Sequence, residues 1–354
     1  MTDYRKELED LILTVAREGG SDLHLTVGHY PTIRVAGDLI PLVKKTVLTP
    51  EDTMGFAMEV LNESNQKIYL DRKDIDFSYS PDGDMRFRGN AFFQRGYAAL
   101  AFRLIPKQIK SMEELGLPPI LADFARKKQG FFLVVGPVGQ GKSTTLASMI
   151  ELVNRERAEH IITIEDPIEH IFTSNRSIID QREIRFDTAD FPSALKAMFR
   201  QDVNVGMIGE MRSPDTISIA VTAAETGHLI FSTLHTNSAS QAIDRIIDSF
   251  PGDQQRQIRI QLAGSLLGIF SQRLVPRISG GVIPAYELLI NNNAVANLIR
   301  EGRTAEIDVV IETSSHDGMV DLNHSLADLV HRGEVTVENA YRYTINPKAF
   351  EKIL

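Results

Sequence analysis

The sequence predicts an α/β protein preceded by a smaller α+β domain, and three observations carry that expectation. After Phe131, apolar runs of strand length alternate with segments of helical period, the pattern of a largely parallel sheet covered on both faces. The first run, Phe131 to Val135, leads into Gly136-Pro137-Val138-Gly139-Gln140-Gly141-Lys142-Ser143-Thr144, the phosphate-binding pattern G-x-x-x-x-G-K-[ST] in a strand–loop–helix setting. Before Ile105 the pattern is instead short, β-rich and broken by turns.

From the N-terminus, Met1 to Glu18 sets Leu8, Leu11, Ile12 and Val15 at helical spacing among charges, an amphipathic helix that Gly19-Gly20 ends. Thr32 to Val47 and Ile75 to Leu104 read as strands, with turns at Gly37-Asp38 and Pro81-Asp82-Gly83-Asp84. Between them Pro50 to Tyr69 reads as helix, with Thr49 as its N-cap and Pro50 in the first position. Residues 105–118, with Ile105-Pro106-Lys107 and Gly116-Leu117-Pro118, read as a linker, which divides the chain into domains at 1–104 and 119–354. In the second domain the expected strands are 131–135, 160–165, 205–209 and 229–234. A helix opening at Ser213-Pro214 and closing at Gly227 lays Ile217, Val221 and Ala224 along one stripe. From Asp253 the pattern reads as predominantly helical to the C-terminus, interrupted at Gly280-Gly281 and Asp317-Gly318.

Composition limits the possibilities. The 354 residues suit two or three cores, and 38 basic against 47 acidic residues give a net charge of −9. That balance disfavours a nucleic-acid-coating protein or DNA-transfer ATPase held by phosphate contacts. No cysteine is present, no signal-peptide pattern opens the chain, and no stretch approaches the ~18 apolar residues of a membrane span, so the cytosol is the expected compartment.

The glycines at 136, 139 and 141 let backbone amides turn toward phosphates, with Lys142 reaching the β and γ groups and Ser143 holding Mg²⁺. Thr144 packs beside it or bonds the α phosphate. ATP hydrolysis also needs an acid at the end of a neighbouring strand, and Glu210 follows the apolar run Val205 to Gly209. Glu165, Asp166 and Glu169 cluster after another strand, a density that calls for a metal, arginine or water. His228 and His235 bracket the run Leu229 to Leu234, where an imidazole could report the nucleotide's state.

Five stretches then carry a family resemblance. Thr222 to Ala239 resembles the histidine box of secretion ATPases, in the form found in the PilT family of type IV pilus retraction motors. Ile164 to Glu169 resembles that family's aspartate box, Gly209-Glu210-Met211-Arg212 its Walker B, and Ser21-Asp22-Leu23-His24-Leu25 its N-terminal signature. Ala294 to Glu301 is similar to its A-I-R-N-L-I-R-E motif, on a helix expected to pack through Leu298 and Ile299 while Arg300 and Glu301 face outward.

The resemblance implies a Mg-ATP-dependent homo-hexamer, each subunit joining a PAS-like N-terminal domain to a RecA-like one. It implies a role at the cytoplasmic face of the inner membrane, peripheral to it, with a pilus platform protein and a paralogous motor ATPase as partners. Family arginines that reach nucleotide from the N-terminal domain match Arg88, Arg95 and Arg103. The chain departs from the family pattern at Val138, Gln140, Asn204, Ala296 and at Gly206, which would interrupt its strand. The expected activity is retraction. Extension and type II secretion ATPases usually add a domain and a four-cysteine zinc site, and an accessory ring with little turnover is the other alternative.

Overall fold

The computed structural model describes residues 3–35, 37–81, 85–105 and 108–354, so Asp82-Gly83-Asp84 of one expected turn and Pro106-Lys107 of the expected linker lie outside the described residues. The chain divides into two compact units, Met1–Gln108 with Pro167–Ile171, and Ile109–Asp166 with Phe172–Leu354.

The first unit runs α1 (Tyr4–Arg17), β1 (Asp22–Thr26), β2 (Thr32–Val35), β3 (Asp38–Pro41), α2 (Pro50–Val60), α3 (Glu63–Arg72), β4 (Asp74–Tyr79), β5 (Arg86–Gln94) and β6 (Tyr97–Ile105). Helix α1 buries Leu8, Leu11, Ile12 and Val15, as their spacing dictates. The helix expected over Pro50 to Tyr69 is two helices. Thr49 and Asp52 form a capping box at the start of α2, while Asn62 accepts from the Asn65 amide and starts a second helix. The strands form an antiparallel sheet in the order β3-β2-β1-β6-β5-β4. Leu8, Phe56 and Tyr69 of the helices share one core with Leu23, Phe87 and Phe102 of the sheet.

The second unit continues with α4 (Ile120–Ala125), β7 (Gly130–Val135), α5 (Lys142–Glu156), β8 (His160–Glu165), β9 (Ile178–Glu183), α6 (Phe191–Met198), β10 (Val205–Ile208), α7 (Pro214–Glu225) and β11 (Leu229–Leu234). After these come α8 (Ala239–Asp248), α9 (Gly252–Ser265), β12 (Leu266–Pro276), β13 (Val282–Ile290), α10 (Asn293–Glu301), α11 (Ile307–Thr313), α12 (Leu322–His331), α13 (Val337–Tyr343) and α14 (Pro347–Ile353). The sheet order is β13-β12-β7-β11-β10-β8-β9, and every neighbouring pair is parallel except β12 with β13. Successive strand side chains point to opposite faces. Accordingly Phe131, Leu133 and Val135 join the core with α7 and α9, while Phe132 and Val134 join the core with α4 and α5.

Two expectations need correction. The stretch from Asp253 holds six α-helices but is not helical throughout: Leu266 to Ile290 forms a β-hairpin whose turn holds Gly280 and Gly281 at φ +90° and +74°. Both strands are buried at most positions whichever face these point to, so neither shows the polar–apolar alternation that would mark a strand. Gly206 does not interrupt its strand, since β10 is unbroken through it. A Cβ there would stand 2.9 Å from Ile230 Cδ1 and 3.1 Å from Met198 Sδ, so the glycine lets α6 approach the sheet.

Candidate functional site

Ligands of open α/β sheets gather beyond the carboxyl ends of the parallel strands. Here β7, β11, β10 and β8 are consecutive neighbours, and their carboxyl ends deliver, in that order, the Gly136 loop, His235, Glu210 and Glu165. Gly136 has φ +149°, and a Cβ on it would meet the Gln272 carbonyl oxygen at 2.6 Å, so no other residue fits. Gly139 and Gly141 are left-handed at φ +76° and +75°. Gly141 directly precedes the first turn of α5, whose free amides and positive dipole end favour an anion. Pro137 and Gln140 are half-buried, Val138 and Gly139 are exposed, and Ser143 and Thr144 are half-buried on that first turn.

Lys142 is 7% exposed, and its ammonium donates to the Pro137 carbonyl at 2.8 Å and reaches His235 Nδ1 at 3.2 Å. An ammonium can only donate, which makes Nδ1 the acceptor and puts the imidazole proton on Nε2. Nε2 lies 3.4 Å from Glu210 Oε1, and Arg212 donates to Glu210 Oε2 at 2.7 Å. A continuous polar chain therefore joins the Gly136 loop to the end of β10. Burial works to raise the Glu210 carboxyl, but Arg212 and His235 outweigh it and hold the group below the usual carboxylate range. Glu210 is thus an ionised acceptor at neutral pH, suited to orienting water more than to taking its proton.

The remaining predicted residues divide. Glu165 is buried and accepts from Thr163 Oγ1 at 2.7 Å and Gln181 Nε2 at 3.2 Å, while Asp166 pairs with Arg185 at 3.4 Å. His228 is not brought to the site. It precedes the amino end of β11, where its Nδ1 meets the Ala223 carbonyl at 3.0 Å and its ring packs edge-on against Phe199. In the first unit, Arg88 of β5 and Arg103 of β6 are direct cross-strand partners, and Arg103 donates to Asp22 of β1 at 2.8 Å. Glu169 belongs to that unit, 3.9 Å from Arg88, and Arg95 is exposed at the β5–β6 turn with φ +52°.

Sequence reasoning missed the residues that hold these loops. Gln272 contacts the Gly136 loop, and Arg273 donates to the Asn237 carbonyl at 3.0 Å in the loop that follows His235. The Glu287 carboxylate accepts from the Ala239 amide at 2.7 Å, at the start of α8. Asn204, which departs from the family pattern, accepts from the His160 amide at 2.8 Å and so ties the start of β8 to β10. Gln272, Arg273 and Glu287 carry no local signature, because each is defined by a partner far away in the chain.

Loop, relay and sheet together define a P-loop nucleotide-binding protein of the α/β class. The family model for "Type II/IV secretion system protein" matches residues 43–348, and the chain belongs to that family. It is 40% identical over 344 residues to the type IV pilus retraction ATPase PilT of Pseudomonas aeruginosa, spanning 97% of this chain and 100% of that protein. It is 42% identical over 335 residues to the type IV pilus ATPase PilU of the same organism, spanning 94% and 87%. The crystal structure of the pilus retraction motor PilT with bound ADP matches at a TM-score of 0.90 and 44% identity, over 97% of this chain and 98% of that one. Among the described residues no helix is long and apolar enough to cross a membrane.

Proposed function

We propose that this chain is an ATP-hydrolysing motor that powers type IV pilus retraction, and with it twitching motility, by withdrawing pilin from the base of the filament. The observation that carries the reading is the contact chain from Lys142 through His235 to Glu210, in a protein 40% identical to a PilT retraction ATPase across 97% of its length. The amides of the Gly136 loop and the Lys142 ammonium bind the β and γ phosphates of ATP. The Ser143 hydroxyl, beside Lys142 on the first turn of α5, is a hard oxygen donor that fits Mg²⁺, which would supply charge neutralisation on the phosphates. Glu210 orients the attacking water. A phosphate that draws Lys142 away from His235 Nδ1 frees that nitrogen, so the imidazole couples phosphate occupancy to the Glu210 carboxylate.

Arg88, Arg95 and Arg103 serve to neutralise transition-state charge, and Glu165, Asp166 and Glu169 form the acidic surroundings of the reaction. The working form is a homo-hexameric ring of PAS-like and RecA-like domains. It acts at the cytoplasmic face of the inner membrane against a pilus platform protein, alongside a paralogous motor ATPase. Exposed Arg300 and Glu301 on α10 offer a surface for that coupling, whereas Leu298 and Ile299 pack against the main core. Removing the gene should leave cells with long, static pili and no twitching. Bald cells would point to an extension motor instead. A second reading, an accessory ring with little turnover of its own, draws on the 42% identity to PilU. Steady-state ATP turnover of the purified chain separates the two.

A further inference from the structure

Strand β12 runs parallel to β7 with Ser271 opposite Val135, which carries the next residue, Gln272, alongside the start of the Gly136 loop. The Gln272 side chain is 1% exposed. Its Oε1 accepts from Thr145 Oγ1 at 2.7 Å, in the first turn of α5, and its Nε2 donates to the Gln140 carbonyl. A carbonyl can only accept, so the orientation of the Gln272 amide is fixed by the loop itself. Gln140 returns the contact, its Oε1 accepting from the Leu274 amide at 2.7 Å. The backbones are equally close: a Cβ on Gly136 would meet the Gln272 carbonyl at 2.6 Å, and one on Gly141 would meet Gln272 Nε2 at 3.1 Å. Both ends of the loop and the helix turn behind it are thus held against Gln272 to Leu274.

A glycine-rich loop loses much backbone freedom when it closes on phosphate, and a ligand that must order its own site binds more weakly for it. We propose that Gln272 is a positioning residue for nucleotide binding, one that holds the phosphate-binding loop in its receptive shape through Gln140 and Thr145. The inference rests on the nucleotide-binding reading of that loop. It also gives Gln140 a task, through the bond its Oε1 accepts from the Leu274 amide.

The test measures Mg-ATP and Mg-ADP dissociation constants, steady-state KM and kcat, and thermal midpoints without nucleotide. Gln272→Met keeps the volume and loses both bonds. It should raise the dissociation constants and KM about tenfold with kcat within about twofold, the pattern of lost uniform binding. Gln272→Glu retains an acceptor for Thr145 but sets a carboxylate against the Gln140 carbonyl, and should weaken binding at least as much. Gln140→Ser should weaken it about threefold, and less than additively on top of Gln272→Met, because both act on one clamp. Unchanged dissociation constants in the Gln272 variants, or a lowered thermal midpoint and kcat with KM untouched, would overturn the proposal and leave Gln272 a packing residue. Should Gln272→Met fail to fold, the half-exposed Gln140→Ser variant decides alone. Wild-type protein that binds Mg-ATP while Lys142→Ala does not keeps the nucleotide reading intact whichever way the Gln272 variants fall, and wild-type protein that binds none sinks that reading itself.

Discussion

His228 and His235 flank the same strand, β11, yet the fold gives them opposite fates. His235 stands at the carboxyl end, between Lys142 and Glu210. His228 stands at the amino end, against Ala223 and Phe199. In a parallel sheet every strand delivers the residues after its carboxyl end to one edge, so chain direction sorts two histidines of one motif into a polar relay and a packing contact. The lesson extends to the carboxylates. Glu210 is joined to the relay, whereas Glu165 is taken up by Thr163 and Gln181.

The largest effect expected of the relay comes from its first member. Lys142→Ala removes the charge that meets the phosphates, and ATP turnover in a coupled phosphate-release assay should fall to background while Mg-ATP affinity drops sharply. Turnover near the wild-type rate would break the comparison at its root. Next comes Glu210→Gln, which keeps the shape and loses the charge. It should retain ATP binding and lose about 10²-fold or more in turnover. Near-normal turnover there would move the water-orienting role to Glu165, Asp166 or Glu169.

The histidines themselves sharpen the contrast. His235→Ala removes a partner shared by two charged groups, a loss of about 1.5–3 kcal/mol in comparable hydrogen bonds and so about 10- to 100-fold in turnover. His228→Ala should leave turnover of the folded protein within about twofold and show itself chiefly as a lower thermal midpoint. Equal losses of turnover in the two variants would mean that His228 acts on another copy of the chain, and the sorting by strand direction would then fail as a guide to function.

Why one half of this site is legible in the sequence and the other is not follows from the same geometry. The Gly136 loop, Lys142 and Glu210 are legible because a short fixed spacing, or a single strand ending, dictates their chemistry. His235 was legible as a strand-exit residue, but that it meets Lys142 follows from β11 lying parallel to β7 and directly beside it. Gln272 was not legible: its bond to Thr145 spans 127 positions, and its strand, buried at most positions, shows no alternation. The cross-strand pairing of Arg88 with Arg103 likewise depends on register, which three separate arginine motifs do not encode.

The effect furthest from the chemistry concerns the far support of the His235 loop and is read in stability, not in turnover. Glu287 on β13 holds the first amide of α8, just beyond that loop, through the Ala239 hydrogen bond. Burial, the chief cause, pushes its carboxyl up to about 7, with Asp308 and Asp321 adding to the rise and the Ala239 amide and Arg273 opposing it. An unfolded chain would titrate this group near 4.5, so between those two values the folded state keeps a proton that the unfolded state has lost. Stability from this group is therefore fully present below the lower value, falls as pH rises through the window by up to about 3 kcal/mol, and is level above it. Glu287→Gln still offers an acceptor to Ala239 and has no such proton to lose. Urea unfolding across the window should show the wild type losing stability relative to this variant as pH rises, and the difference between the two curves isolates Glu287 from the histidines that titrate nearby. Parallel curves would mean that Glu287 ionises as freely in the fold as outside it, and that its burial on β13 costs the charged form nothing.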